Sequence, residues 1–264
     1  MRVFASLSAI SLLLVAATGA AAPPRRVASL NLCTDELVLM LAAPEQIVSV
    51  THLAQQEAET PLWRQARRYR RNDGSLMSAV PMRPDLVVTM GGGGRDRLRI
   101  AEGLGIETID LPFAASLGDL GRSIERLSVA LGRPAQGAAL LRRMKALVRS
   151  RPPADRDTIW LGGGGRTVAA EGLEAQWMAL AGLRQRPLRG DRVSLETLLV
   201  EPPSVLLRSD YRQGQYSAGQ RWLTHPAARR ARGSRAIATD GRRWTCMGPL
   251  LIDEIARLRR AVAR

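Results

Sequence analysis

Residues 26–50 read RVASLNLCTDELVLMLAAPEQIVSV, a short β-type run that turns at once into an amphipathic helix and then into a second β-type run. The strand-like stretch Val27–Leu30 passes through Asn31-Leu32-Cys33-Thr34 into a helix expected over Thr34–Leu41, and Ile47–Val50 follows. Thr34 is the expected cap of that helix, Asp35 and Glu36 suit its positive end, and Leu37, Met40 and Leu41 share a face. A turn at the carboxyl end of a strand is where open α/β sheets present ligand-binding groups. One of only two cysteines in the chain, Cys33, stands in that turn.

The same grammar continues. Leu86–Thr89, inside RPDLVVTM, is a β-branched run with a polar and proline entry, the mark of a buried strand, and Glu107–Asp110 follows. From Ser116 to about Ser150 the pattern is helical only. Ile124, Leu127 and Leu131 form one stripe, Gly132-Arg133-Pro134 interrupts, and Ala138, Leu141, Met144 and Val148 form a second. After RPPADRD the strands resume at Thr158–Leu161, Ser204–Leu207 and Arg235–Ala238, and Asp253–Val262 is a final helix. This predicts an α/β protein of two Rossmann-like lobes joined by one long backbone helix, with the ligand cleft between the lobes. The expected division is 22–115 for the first lobe, 116–150 for the helical segment and 151–264 for the second lobe.

VVTMGGGGR (Val87–Arg95) and IWLGGGGR (Ile159–Arg166) each place four glycines and an arginine after a buried strand. Neither is a nucleotide motif: no Gly-Lys-Ser/Thr follows, and Asp96 and Thr167 occupy the last position of G-x-G-x-x-G. Glycine at a strand's carboxyl end lets a ligand approach the backbone closely. One such loop in each half points to a cleft between the halves.

Arg2, the apolar stretch Leu7–Ala17 and the small residues Thr18–Ala22 predict an export signal over residues 1–21, cleaved near Ala21. No small-residue lipobox precedes Cys33, so a soluble periplasmic protein is expected rather than a lipoprotein. The net charge is +15, and Lys145 is the single lysine among 39 basic residues. The arginines are spread along the chain among Asp and Glu. A nucleic-acid binder concentrates them on one element and interleaves aromatics, so no nucleic-acid partner is expected, although that function remains the rival this charge raises.

Catalytic signatures are missing: there is no H-E-x-x-H, no G-x-S-x-G and only two histidines. An enzyme on a similar scaffold is the other rival; the expectation is no enzyme. His52 follows a strand and can reach the cleft, whereas His225, before Pro226, suits a surface or capping role. Cys33, His52, His225 and Cys246 lack local ligand spacing, and no metal site is expected. Trp63 and Trp177 lie in helical contexts and read as core. Trp160, Tyr211, Tyr216 and Trp244 sit at lobe edges, where ligand stacking and ordinary packing are equally served.

RVASLNLCTDELVLMLAAPEQIVSV, MRPDLVV, LGDLGRSIERLSVALGR, SLETLLVEPPSVLLRSDYR, WLTHPAAR and RRWTCMGPLLIDEIARL, in this order, resemble the periplasmic substrate-binding proteins of ABC importers. The similar branch serves cobalamin, ferric siderophores and haem. The resemblance runs from about Arg26 to the C-terminus. It implies a monomeric binder of a metal-chelate ligand, cobalamin or a ferric siderophore with haem as the alternative, which needs no cofactor and delivers its ligand to permease subunits in the inner membrane. Carried over by position, the ligand-binding residues are Asn31, Cys33, His52, Gly92, Gly93, Arg95, Gly163, Gly164, Arg166, Tyr211, Trp244 and Cys246. Arg95 and Arg166 favour an anionic guest. Family members dock on the permease through one surface acid on each lobe. VSLETLL makes Glu196 the second-lobe acid, whereas the first-lobe position holds Met77, with Asp73 nearby.

Cys33 at a helix start and Cys246 before the last helix stand in corresponding places on the two lobes. An exported chain with an even cysteine count favours a disulfide. Two free thiols lining the pocket are the alternative, because a wide cleft holds the Cα atoms beyond the ~7 Å a bridge tolerates.

Overall fold

The computed structural model describes residues 22–92, 95–211, 218–229 and 231–263. The export signal expected over 1–21, together with Gly93 and Tyr216, lies outside the described residues, and Arg95 is described by its backbone alone. The first half builds a parallel sheet from β1 (Val27–Ser29), β2 (Ile47–Thr51), β3 (Arg70–Asn72), β4 (Leu86–Met90) and β5 (Glu107–Leu111), in the order β3-β2-β1-β4-β5. Around it lie α1 (Leu32–Leu41), α2 (Trp63–Ala66), α3 (Leu76–Ala79) and α4 (Arg95–Gly103). Two helices, α5 (Leu117–Ala130) and α6 (Pro134–Arg149), carry the chain to a second parallel sheet. That sheet contains β6 (Arg156–Leu161), β7 (Leu183–Gln185), β8 (Val205–Ser209) and β9 (Arg235–Thr239), in the order β7-β6-β8-β9. Its helices are α7 (Leu173–Leu180), α8 (Leu195–Val200), α9 (Ala218–Thr224), α10 (Pro226–Arg229) and α11 (Leu251–Ala263).

The strands read from sequence include every central one, because burial on both faces demands continuous hydrophobicity, together with the edge strands β5 and β9. Val27, Ala28 and Ser29 of β1 and Leu86 to Thr89 of β4 are all buried. The sequence reading missed β3 and β7. Each has three residues at a sheet edge, and β3 exposes Arg70 and Arg71, so neither carries an apolar run. Asn72 anchors β3 instead, its Nδ2 donating to Ser29 O at 2.9 Å and to Ser49 Oγ.

The start of α1 differs from the expectation. Asn31, in extended backbone, is the cap, and its side chain accepts from Cys33 N at 2.8 Å. Thr34 lies inside the first turn, its hydroxyl donating to Asn31 O at 2.9 Å and bonded to Ser29 Oγ at 2.7 Å. Asp35 and Glu36 are buried rather than presented at an open helix end.

The α5 stripe is as read: Ile124, Leu127 and Leu131 are buried. On α6 the buried face is Gly137, Leu140 and Met144, whereas Ala138 and Val148 are exposed. Gly137 sets that rotation. A Cβ there would lie 2.1 Å from Ser128 Oγ and 2.5 Å from Ser128 Cβ, so α6 meets α5 backbone to side chain at this point. Gly137→Ala is expected to lower stability by about 1–2 kcal/mol, overpacking outweighing the gain in helix propensity. The urea midpoint checks this, and a more stable variant would mean the contact yields.

Trp177 is fully buried, its Nε1 donating to Met247 O at 2.9 Å. Trp63 departs from its core reading. It is half-buried, and its ring carries the guanidinium groups of Arg64 and Arg67, each 4.4 Å from the centroid. Guanidinium cover of this kind lets an indole sit at the surface.

Candidate functional site

In open parallel sheets the crevice forms where strand order reverses, at the carboxyl ends of the strands. In the first sheet the reversal falls between β1 and β4, in the second between β6 and β8. The chain leaves β1 into Asn31–Cys33, β4 into Gly91 and Gly92, β6 into Gly162–Gly165 and β8 into Asp210 and Tyr211. Four of the loops named from sequence therefore border the two reversal points.

Covalent and polar contacts join these ends across the lobes. Cys33 and Cys246 form a disulfide with a Cα–Cα distance of 5.2 Å. The Tyr211 hydroxyl donates to Glu59 Oε2 at 2.7 Å, and Arg242 Nη1 donates to Glu57 O at 3.0 Å. Beside the disulfide lies a cavity of about 160 Å³, lined among others by Cys33, Glu36, Met90, Phe113, Cys246 and Met247. Phe113, 69% exposed, lies over Gly91. Gly91 has φ +85°, and a Cβ there would meet the Phe113 ring at 2.3 Å, so only glycine leaves the ring in this place.

The two glycine runs share a pattern but not an environment. Gly92 has φ +80°, donates to Asp110 Oδ2 at 2.8 Å and faces open space. The second run is enclosed. Gly164 O accepts from Arg192 Nη1 at 2.9 Å, and a Cβ on Gly165 would meet Val193 O at 2.6 Å. Gly219 of α9 packs directly on Gly164. Gly163 and Gly164 thus stand where the chain packs on itself, and Arg166 is exposed, 3.8 Å from the Asp191 carboxylate.

Trp244 lies beneath the site. It is 2% exposed, donates from Nε1 to Thr239 Oγ1 at 2.8 Å, and its ring centroid is 6.2 Å from that of Trp160. Packing, rather than ligand stacking, is its role in this structure. His52 is exposed in the turn after β2 and does not line the cavity. His225 accepts at Nδ1 from Ala227 N at 3.2 Å and caps α10. Among the described residues no group of three or more His, Cys, Asp or Glu side chains is arranged to hold a metal ion.

The sequence reading passed over Met90, Phe113 and Met247 as site residues and gave the two acids of α1 only a place at the helix end. Phe113, one of two phenylalanines and placed just after a strand, carried a signal; the acids carried none. Asp35 takes hydrogen bonds from Thr51 N and Thr51 Oγ1, yet burial pushes its carboxyl up to about 7. Glu36, 1% exposed, accepts from Thr60 Oγ1 at 2.7 Å through Oε1, and burial pushes it up to about 8. Its Oε2 has no hydrogen-bond partner among the described residues.

No family model matches the chain, and no curated protein matches it in sequence. Solved structures do. A periplasmic heme binding protein from Pseudomonas aeruginosa is 21% identical, with 90% of this chain and 92% of that one covered and a TM-score of 0.64. The periplasmic vitamin B12 binding protein BtuF of Vibrio cholerae is 18% identical, with 91% and 97% covered and a TM-score of 0.63. The siderophore binding protein BauB, solved with two molecules of acinetobactin and ferric iron, is 12% identical, with 90% and 94% covered and a TM-score of 0.67. The chain has their fold. The match spans both sheets and the helices between them, so the shared feature is the paired arrangement of lobes rather than one α/β unit.

Proposed function

We propose that this chain is the periplasmic substrate-binding component of an ABC importer, exported through residues 1–21 as a soluble monomer. It binds a metal chelate, cobalamin or a ferric siderophore, and passes it to the permease. Residues 22–115 and 151–264 are the two lobes, and 116–150 is the helical segment between them. The observation that carries the reading is the convergence of the carboxyl ends of two parallel sheets on one crevice, in a fold shared with heme, vitamin B12 and siderophore binders. The chelate is cargo in this reading, and neither a cofactor nor catalysis is assigned to the chain.

A ligand of drug size or more occupies roughly 300–1,000 Å³. The 160 Å³ beside the disulfide admits an arm of such a ligand, and its bulk rests outside, next to exposed Phe113 at the rim. Titration of cobalamin, haem and ferric siderophores against intrinsic tryptophan fluorescence is expected to give submicromolar quenching by one of them. No response to any, with salt-sensitive retention of DNA, overturns the reading in favour of a nucleic-acid binder.

Docking is assigned to the end of each lobe where α3 and α8 begin. The two helices share a local design: Ser75 caps α3 by accepting from Ser78 N, and Ser194 caps α8 by accepting from Thr197 N. The residue two positions after the cap is Met77, 64% exposed, on one lobe and exposed Glu196 on the other. Asp73 is held in a turn, its Oδ1 accepting from Ser75 N at 2.8 Å and its own N donating to Ser78 Oγ at 3.2 Å, and hydrogen bonding by the Ser75 and Ser78 side chains and Ser75 N keeps its carboxyl down at about 2. It supplies an ionised acid near Met77. Glu196→Ala is expected to leave chelate affinity unchanged and to weaken permease association roughly two- to tenfold, the effect of losing a rim charge. Unchanged association would remove Glu196 from the docking surface.

A further inference from the structure

The cavity beside the Cys33–Cys246 bridge has a polar centre in an apolar wall. Leu37, Met90, Pro112, Phe113, Met247 and Pro249 supply the wall, and Ser123 and Thr245 add two hydroxyl side chains to the lining. Glu36 supplies the one ionisable side chain that lines it, and Oε2 of that carboxyl is buried without a hydrogen-bond partner among the described residues. A buried polar oxygen left unpaired is costly, and native structures rarely keep one without a use. Oε1 is already engaged by Thr60, so the carboxyl is fixed in orientation and one oxygen is left for a guest.

We infer that this cavity is a subsite for one uncharged hydrogen-bonding arm of the ligand, a primary amide or a hydroxyl, held by Glu36 Oε2. The inference rests on the proposed binding function and adds the chemistry of the ligand's periphery. Charge decides against the alternatives. A carboxylate arm would enter an apolar pocket next to Glu36, with Asp35 and Asp240 acting on the same site. Among the described residues the cation acting on Glu36 is Arg243, already committed to Asp240 Oδ2 at 3.3 Å and to Leu250 O at 2.9 Å. An ammonium arm needs an ionised Glu36, which desolvation opposes. A neutral carbonyl or hydroxyl oxygen accepts the Glu36 proton at no cost in buried charge. At roughly 30 Å³ per water molecule, the cavity holds about five water volumes, enough for an amide-ended side arm.

The test compares intact cobalamin, its separated monocarboxylate isomers (each with one amide hydrolysed) and haemin, titrated against the full chain, Glu36→Gln and Glu36→Ala. One isomer is expected to bind at least tenfold more weakly than intact cobalamin, with the others within threefold. Glu36→Ala is expected to lose at least tenfold in affinity for intact cobalamin and to erase the difference between isomers, while Glu36→Gln stays within threefold. Equal binding of all isomers, tighter binding of haemin, or chelate binding indifferent to residue 36 overturns the subsite and leaves the binding function standing. A change in melting temperature without a change in affinity means that the cavity holds water only and equally overturns it. Absence of binding by cobalamin, its isomers and haemin overturns the subsite, and the binding function falls with it when ferric siderophores fail to bind as well.

Discussion

Cys246→Ser is expected to lower the stability of the protein by about 5 kcal/mol, through loss of a bridge that closes 213 residues of chain. In the chain-entropy account the gain grows with the logarithm of the loop, and this loop takes in nearly the whole fold. For a chain of this size the loss corresponds to a fall of roughly 10–20 °C in melting temperature. The bridge also ties the lobes at the crevice, so the variant is expected to expose the Tyr211–Glu59 and Arg242–Glu57 contacts to opening. Calorimetry of the oxidised protein, of the variant and of the protein in reductant measures this. A melting temperature within 2 °C in all three would mean that noncovalent contacts alone hold the lobes together.

Glu36→Gln is expected to flatten the fall in stability between pH 5 and pH 9. Burial raises Asp35 to about 7 and Glu36 to about 8, from ordinary values of 3.8 and 4.5. A folded-state pKa above the unfolded one means that the native protein binds the proton more tightly. The stability this confers is complete below about pH 4, declines as pH rises and is gone above about pH 8. At 1.36 kcal/mol per pKa unit, the Glu36 share is on the order of 5 kcal/mol. Asp240 and Glu254, whose arginine partners hold them below the usual range, act in the opposite sense and only at lower pH. Their stability is present above the ordinary carboxylate pKa and lost as pH falls through their depressed values, so it leaves the pH 5–9 slope untouched. Urea unfolding at pH 5, 7 and 9 compares the two proteins. Parallel curves would show that Glu36 is ionised in the folded state.

Glutamine is neutral at every pH, so at pH 9 the variant is expected to be the more stable protein. The same substitution keeps a donor in the cavity. Stability and ligand affinity at residue 36 therefore separate: removing charge affects the first, removing the hydrogen bond affects the second.

The amino-acid sequence by itself determined the central strands, since a strand buried on both faces is written as a continuous apolar run. Leu86–Thr89 and Ser204–Leu207 are read that way and fall on β4 and β8, inside their sheets. It determined the α5 stripe and the two-lobe plan as well, because these depend on period and order along the chain. Tertiary structure decided whatever depends on what lies opposite. Edge strands β3 and β7 exist by pairing, not by composition. Asn31 rather than Thr34 caps α1 because Ser29 and Asn31 O occupy the Thr34 hydroxyl. Identical glycine runs differ where described: α9 and Val193 close on the second, whereas Gly92 of the first faces open space.

With two cysteines only one intramolecular pairing can be written, but the packing of the lobes set the 5.2 Å that lets it form. The acids of α1 show the division most sharply. In sequence, Asp-Glu in a first helical turn is a charged, solvated end favoured by the helix dipole. In the fold the second lobe and the loop carrying Thr60 close over that end, and desolvation outweighs the dipole. Burial is a property of the partner surface, which no local pattern records.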